Sequence, residues 1–167
     1  MNSLDQKLTG FVDRGLRLFR VNVKDSTVHT LVQFIKFGFV GVSNTVISYL
    51  LNVLTLLLLK PYNVSWDYIA GNLVAFVLSV LWSFYWNNKF VFSIGKGQSR
   101  SLGRALLKTY VAYGFTGIVL NNILSAIWIN KLGISKFVAP ILNLIISIPL
   151  NFAINKLWAF KSTSDGQ

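Results

Sequence analysis

The chain has 167 residues, 53% of them hydrophobic and only 13% charged, and it carries a net charge of +11. A soluble domain of this size has about a quarter of its residues charged, so the composition excludes an ordinary water-facing globule and favours lipid as solvent. Cysteine is absent, which excludes disulfides and thiolate metal sites.

The basic charges lie between long apolar runs and do not form one face. Phospholipid headgroups and membrane orientation therefore explain them better than nucleic acid, which is not expected as a partner. The first apolar run begins near residue 34 and is too long for a signal h-region, so no cleavable signal peptide is expected.

Residues 1–33 form the first predicted element, a cytoplasmic amphipathic segment. At about 100° per residue, Leu4, Leu8, Phe11, Val12, Leu16, Leu18, Phe19 and Val23 share one arc. Lys7, Asp13, Arg14, Arg17 and Arg20 occupy the opposite arc. An apolar face backed by a basic face predicts a helix lying in the membrane interface. His29, the one histidine, has no partner motif and is given no chemical role.

Residues 34–161 are expected to form a domain of four transmembrane helices. The spans are placed at about 37–59, 68–86, 109–129 and 137–155, runs of 19 to 23 residues without a formal charge. Such runs suffice for a hydrocarbon core of ~30 Å. Tyr62, Trp66, Tyr68, Trp86, Tyr110, Trp128 and Trp158 fall near span ends, where amphipathic rings prefer to lie. Residues 162–167 are expected to be a frayed cytoplasmic tail.

Thirteen Lys and Arg lie in the N-terminal segment, the middle loop and the C-terminal tail, against Lys60, Lys131 and Lys136 in the other two loops. This asymmetry places both termini and the middle loop in the cytoplasm. The middle-loop charges are Lys89, Lys96, Arg100, Arg104 and Lys108.

The second half of the chain echoes the first. Phe37-Gly38-Phe39-Val40-Gly41 matches Tyr113-Gly114-Phe115-Thr116-Gly117, and Ser83 through Phe92 matches Asn151 through Phe160. Each unit holds two spans, so the fold class expected is all-α, built as two parallel two-helix repeats behind the amphipathic helix.

Each span carries a stripe of neutral polar residues at helical spacing. Asn44, Ser48, Asn72, Ser79, Asn121, Asn143 and Asn151 are the candidate contacts to a hydrophilic headgroup. Unpaired amides in lipid cost several kcal/mol each, so the stripes should face one another. They do so either as packing glue, with Gly and Ser allowing close helix approach, or as the lining of a polar groove. At the basic ends of the spans, Lys36, Asn87, Lys89, Asn155 and Lys156 form a candidate mouth for a phosphate group. The opposing account of these lysines is that they are anchors snorkelling to the interface.

All five acids, Asp5, Asp13, Asp25, Asp67 and Asp165, lie outside the spans. Proton coupling within the chain is therefore not expected, since it needs an acid at membrane depth. No paired acid and base, nucleophile with its base, or metal cluster appears. The expectation is a protein that is not an enzyme and uses neither metal nor cofactor.

Four spans, the segment Gly41-Val42-Ser43-Asn44-Thr45, and second and fourth helices ending in an Asn-Phe-x-x-Asn-basic-x-Trp-x-Phe pattern resemble the GtrA-like family. Asn151-Phe152-Ala153-Ile154-Asn155-Lys156-Leu157-Trp158-Ala159-Phe160 fits that ending. The first copy departs from it, with Ser83 for Asn, Asn88 for the basic residue and Phe90 for Trp. The resemblance implies a role in glycosylating cell-surface polysaccharide or teichoic acid, by flipping a polyprenyl-phosphate-linked sugar across the cytoplasmic membrane. It implies membrane glycosyltransferases as partners. The alternative is an accessory subunit that anchors a glycosyltransferase and transports nothing. Four short helices enclose little room for a headgroup, which makes a homo-oligomer a candidate arrangement.

Overall fold

A computed structural model describes residues 3–18, 24–95, 97–135 and 138–164. Among these, the chain forms an amino-terminal helix, Ser3–Leu18, and four helices long and apolar enough to cross a membrane. The four are Asp25–Tyr62, Ile69–Val91, Leu102–Lys131 and Ile141–Ala159. Phe19, Arg20, Val23, Lys96, Lys136 and Phe137 of the sequence reading lie outside the described residues.

The first long helix starts twelve residues before the span expected from the apolar run. Its 38 residues extend about 57 Å, well beyond a ~30 Å hydrocarbon core. A charge such as Lys36 marks where lipid ends and does not break a helix, so the turns from Asp25 to Lys36 continue in the same helix. Asp25 in the first turn suits the positive end of the helix dipole. At the far end, Pro61 sits in a 3₁₀ turn, Lys60–Tyr62, and Asn63 closes it with φ 51°, a left-handed conformation that Asn tolerates. The third long helix likewise begins at Leu102, seven residues before the expected span.

The amino-terminal helix packs along this extension. Val12 is buried with Val28 and Val32, flanked by Leu8, Leu16, Leu31 and Ile35. Its apolar arc is thus shared between protein and surroundings, because Phe11 on the same arc is 73% exposed.

The four long helices pack in sequence order around a ring, with the fourth returning to the first. The first and second form the most closely packed hairpin. Gly71 permits their approach: a Cβ there would lie 3.1 Å from Asn52 Nδ2 and 3.5 Å from Leu56. Nearby, Asn52 Nδ2 donates to Asn72 Oδ1 at 2.9 Å.

The second and fourth helices end alike. Each passes into a π-helical turn, Asn87–Val91 and Asn155–Ala159, and each turn closes with a 2.8 Å bond, from Phe92 N–H to Asn87 O and from Phe160 N–H to Asn155 O. The hydrophobic core sits at this basic end, built from Phe37, Val40, Val91, Phe92, Phe152, Ala159 and Phe160. Phe92 and Phe160 stack with centroids 4.9 Å apart. The tail expected to fray from Ser162 is tied down at its start. Thr163 and Ser164 pair antiparallel with Ser99 and Gln98 of the middle loop, and Ser162 Oγ donates to Gln98 Oε1 at 3.0 Å.

Candidate functional site

The polar stripes meet in one groove of about 840 Å³, lined by residues of all four long helices. Along the first helix it runs from Phe37 to Asn52, about 22 Å at ~1.5 Å per residue. Asn44, Ser48, Asn72, Ser79, Asn121 and Asn151 line it. Among the described residues, no charged one does.

Asn143 is placed otherwise. It is 4% exposed, lies outside the groove lining, and has its amide fully engaged. Its Nδ2 donates to Ser125 Oγ at 2.8 Å and to Asn121 O at 3.2 Å, while its Oδ1 accepts Trp128 Nε1–H at 3.0 Å. This asparagine joins the third and fourth helices, so the expectation of a headgroup contact there is corrected to packing. Asn151 is intermediate: it lines the groove, yet its Oδ1 accepts the Thr116 hydroxyl at 2.8 Å.

Asn44 and Asn121 differ from these. Both residues line the groove, and the Oδ1 of each is buried with no hydrogen-bond partner. A buried unpaired acceptor costs about 1–3 kcal/mol; among the described residues five further buried polar atoms also lack a partner, Asn87 Oδ1 and Asn155 Oδ1 among them, but neither of those residues lines the groove. The glycines also differ from the close-approach account. At Gly38, Gly41 and Gly117, all in the groove wall, an added Cβ would meet nothing within 4 Å. They leave space and do not bring helices together. Amide acceptors, hydroxyls and open volume without charge suit a neutral, hydroxyl-rich group.

The basic end of the groove is closed. Phe37 meets Phe152 at 5.6 Å between centroids, Phe34 meets Phe152 at 5.2 Å, and the Phe92–Phe160 stack lies behind them. Asn87 and Asn155, expected at an open mouth, are both 0% exposed. Asn87 Nδ2 donates to Ser83 Oγ at 3.1 Å, and Asn155 Nδ2 to Asn151 O at 2.8 Å. They belong to the walls of the π turns, where the Nδ2 of each is paired while its Oδ1 is buried without a partner.

The lysines divide by task. A helix end leaves carbonyls unpaired, and cations are favourable beside them. Lys36 Nζ donates to Phe90 O at 2.9 Å, and Lys108 Nζ to Trp158 O at 3.2 Å, the two acceptors corresponding between the two halves. Gln33 Nε2 donates to Val91 O at 3.2 Å. Lys156 Nζ donates to Thr30 Oγ1 at 2.7 Å, tying the fourth helix to the extension of the first. Lys89 alone of the mouth candidates is exposed, beside Tyr85 with its Nζ 3.3 Å from the phenol oxygen. His29 lines a separate cavity of about 100 Å³ with Gln33 and Lys36.

Arg100 has a larger part than the charge count gave it. Its guanidinium donates to Asn88 Oδ1 at 2.8 Å and to Phe92 O at 3.0 Å, and lies 5.2 Å from the Phe160 ring centroid. Partial burial lowers its pKa from the usual arginine value, though an arginine stays charged throughout the accessible range. Nothing in the periodicity of the sequence singles it out, since it lies in a polar loop.

The family described as GtrA/DPMS, transmembrane domain, matches residues 36–160. The cell wall teichoic acid glycosylation protein GtcA of Listeria innocua serovar 6a is 28% identical over 112 residues, covering 67% of this chain and 76% of the relative. The protein of the same name from Listeria monocytogenes serovar 1/2a is also 28% identical over 112 residues, with the same coverage of each chain. No solved structure matches the chain.

Proposed function

The chain belongs to the GtrA/DPMS transmembrane-domain family and is a multi-pass membrane protein; from that premise we propose that it flips a polyprenyl-phosphate-linked sugar across the cytoplasmic membrane. The sugar would serve glycosylation of a cell-wall polymer, the process named in its GtcA relatives. One membrane glycosyltransferase would load the lipid inside and another would use it outside.

The observation that carries this reading is the uncharged groove with two buried amide oxygens lacking donors. Sugar hydroxyls are the donors that fit, and Asn44 and Asn121 are assigned as their first contacts. Ser48, Asn72, Ser79 and Asn151 complete the headgroup wall, and Asn143 acts behind it by holding the third and fourth helices together. Lys89 is assigned as the phosphate contact at the basic end, because it is exposed there with its bond to Tyr85 Oη at the surface, whereas Lys36, Lys108 and Lys156 are partly buried. All four long helices of one chain line the groove, so this reading needs no second copy.

The test is movement of a fluorescent polyprenyl-phosphate hexose between leaflets of vesicles holding the purified protein. Exchange well above protein-free vesicles is expected. Exchange at the protein-free rate, with glycosylation in cells still dependent on the protein, would favour the accessory-subunit reading.

The surrounding architecture follows the same reading. The matching π turns at Asn87–Val91 and Asn155–Ala159 support two parallel repeats. The Lys and Arg asymmetry supports cytoplasmic termini, with the basic end inward. Reporter tags at Gly97 and at the C-terminus should report cytoplasm, and a tag at Asn63 the exterior; an external signal at Gly97 would reverse the orientation. The amino-terminal helix lies at the inner interface, with Phe11 toward lipid and Val12 against the first long helix. A peptide of residues 3–24 should gain helicity on anionic vesicles and much less on neutral ones. Equal helicity in plain buffer would remove the interfacial role.

A further inference from the structure

We propose that the groove opens sideways into lipid between the first and fourth helices, and that this portal seats the first isoprenoid units of the sugar lipid. The inference rests on the headgroup reading above and adds where the tail leaves the protein.

The first and fourth helices touch at the basic end, through Phe34, Phe37 and Phe152. Beyond that contact, Val42 and Tyr49 of the first helix and Leu144 and Ile148 of the fourth line the groove and are also 40–69% exposed. A residue that both lines a groove and faces the surroundings marks its rim. Side-chain directions agree. On the first helix Val42 and Tyr49 point away from Ser43, which accepts Trp82 Nε1–H from the second helix. On the fourth helix Leu144 and Ile148 lie between Phe152, which faces the first helix, and Asn143, which faces the third.

The opposite seam, between the second and third helices, is bridged. Tyr110 Oη donates to Val77 O at 2.6 Å, Phe76 and Tyr110 meet edge to face at 5.9 Å, and Ser83 Oγ lies 3.0 Å from Tyr113 Oη. Phe76, the 37% exposed lining residue at this seam, is thus packed against Tyr110 of the third helix. The groove therefore has a polar floor and an apolar rim between the first and fourth helices. That pairing fits an amphiphile whose head is rich in hydroxyls and whose tail must stay in hydrocarbon, since lipid-like chains gain nothing by entering an amide-lined space.

The experiment is photolabelling of the purified full chain in vesicles by a polyprenyl-phosphate hexose with a diazirine on its first isoprene unit. Adducts should concentrate on Val42, Tyr49, Leu144 and Ile148, and should be lost when excess unlabelled sugar lipid is added. Val42→Trp with Ile148→Trp should cause loss of both labelling and lipid movement by narrowing the rim. Leu73→Trp, at an exposed position of the second helix outside the groove lining, should leave both intact. Competed adducts at Phe76 and Tyr110 instead would overturn the portal while leaving the headgroup groove standing. Adducts spread around the lipid-facing surface and insensitive to competitor would overturn the portal and the groove reading together.

Discussion

Arg100→Ala should lower the stability of the purified protein in detergent by about 2–4 kcal/mol, from two charge-assisted hydrogen bonds and one ring contact. The guanidinium joins the ends of both hairpins, holding Asn88 and Phe92 of the first while lying over Phe160 of the second. Truncation leaves Phe92 O, in a buried residue, without its donor, and an unsatisfied buried carbonyl carries a desolvation cost on top of the lost bond. Arg100→Lys should keep only part of the loss away, because an ammonium cannot reproduce the planar fork that reaches two acceptors at once. The unfolding midpoint of the three proteins checks the ordering, wild type above Lys above Ala. Wild-type stability in Arg100→Ala would mean that the loop does not clasp the helix ends.

Helix number and the inward stripes were legible in the sequence because lipid imposes a strong rule: apolar runs without charge, with amides kept off the lipid face. Helix starts were less so. Asp25 and Leu102 begin their helices well before the lipid boundary, since charge marks the boundary and leaves the backbone hydrogen bonding of the helix untouched. Within the stripes, periodicity assigned Asn44, Asn121 and Asn143 one common fate. An inward arc includes both the part that faces a neighbouring helix and the part that faces a gap, and only the packed structure separates them. The glycines illustrate the same limit. Gly71 lies against Asn52, whereas Gly41 borders open space, and nothing in either residue's spacing distinguishes contact from room. The basic ends misled for a related reason. Lys36 and Lys108 look like mouth charges in sequence, but the π turns bring carbonyls to them across the fold. Their partners lie 54 and 50 residues away in the chain, beyond any local pattern.

The largest expected effect on activity comes from the groove. Asn44→Leu and Asn121→Leu should abolish movement of the sugar lipid and glycosylation of the cell wall polymer. Neither should cost net stability: each removes a buried oxygen that has no partner, relief worth about 1–3 kcal/mol, and this offsets the 3.3 Å bond from Asn121 Nδ2 to Gly117 O lost in the second variant. Gly41→Leu adds a second route to the same result: its Cβ has room, leucine is favoured over glycine in a helix by about 1 kcal/mol, and its side chain would fill the groove. Asn143→Leu is the contrast. It breaks bonds to Ser125, Asn121 and Trp128, so it should reduce stability by about 1–3 kcal/mol and reduce activity only through that loss. Leaflet-to-leaflet transfer of the polyprenyl-phosphate hexose, measured together with melting temperature on wild type and these four variants, tests the central claim most directly. A headgroup groove predicts that Asn44→Leu, Asn121→Leu and Gly41→Leu lose transfer while melting at or above the wild-type temperature; transfer that falls only in step with melting temperature would contradict it.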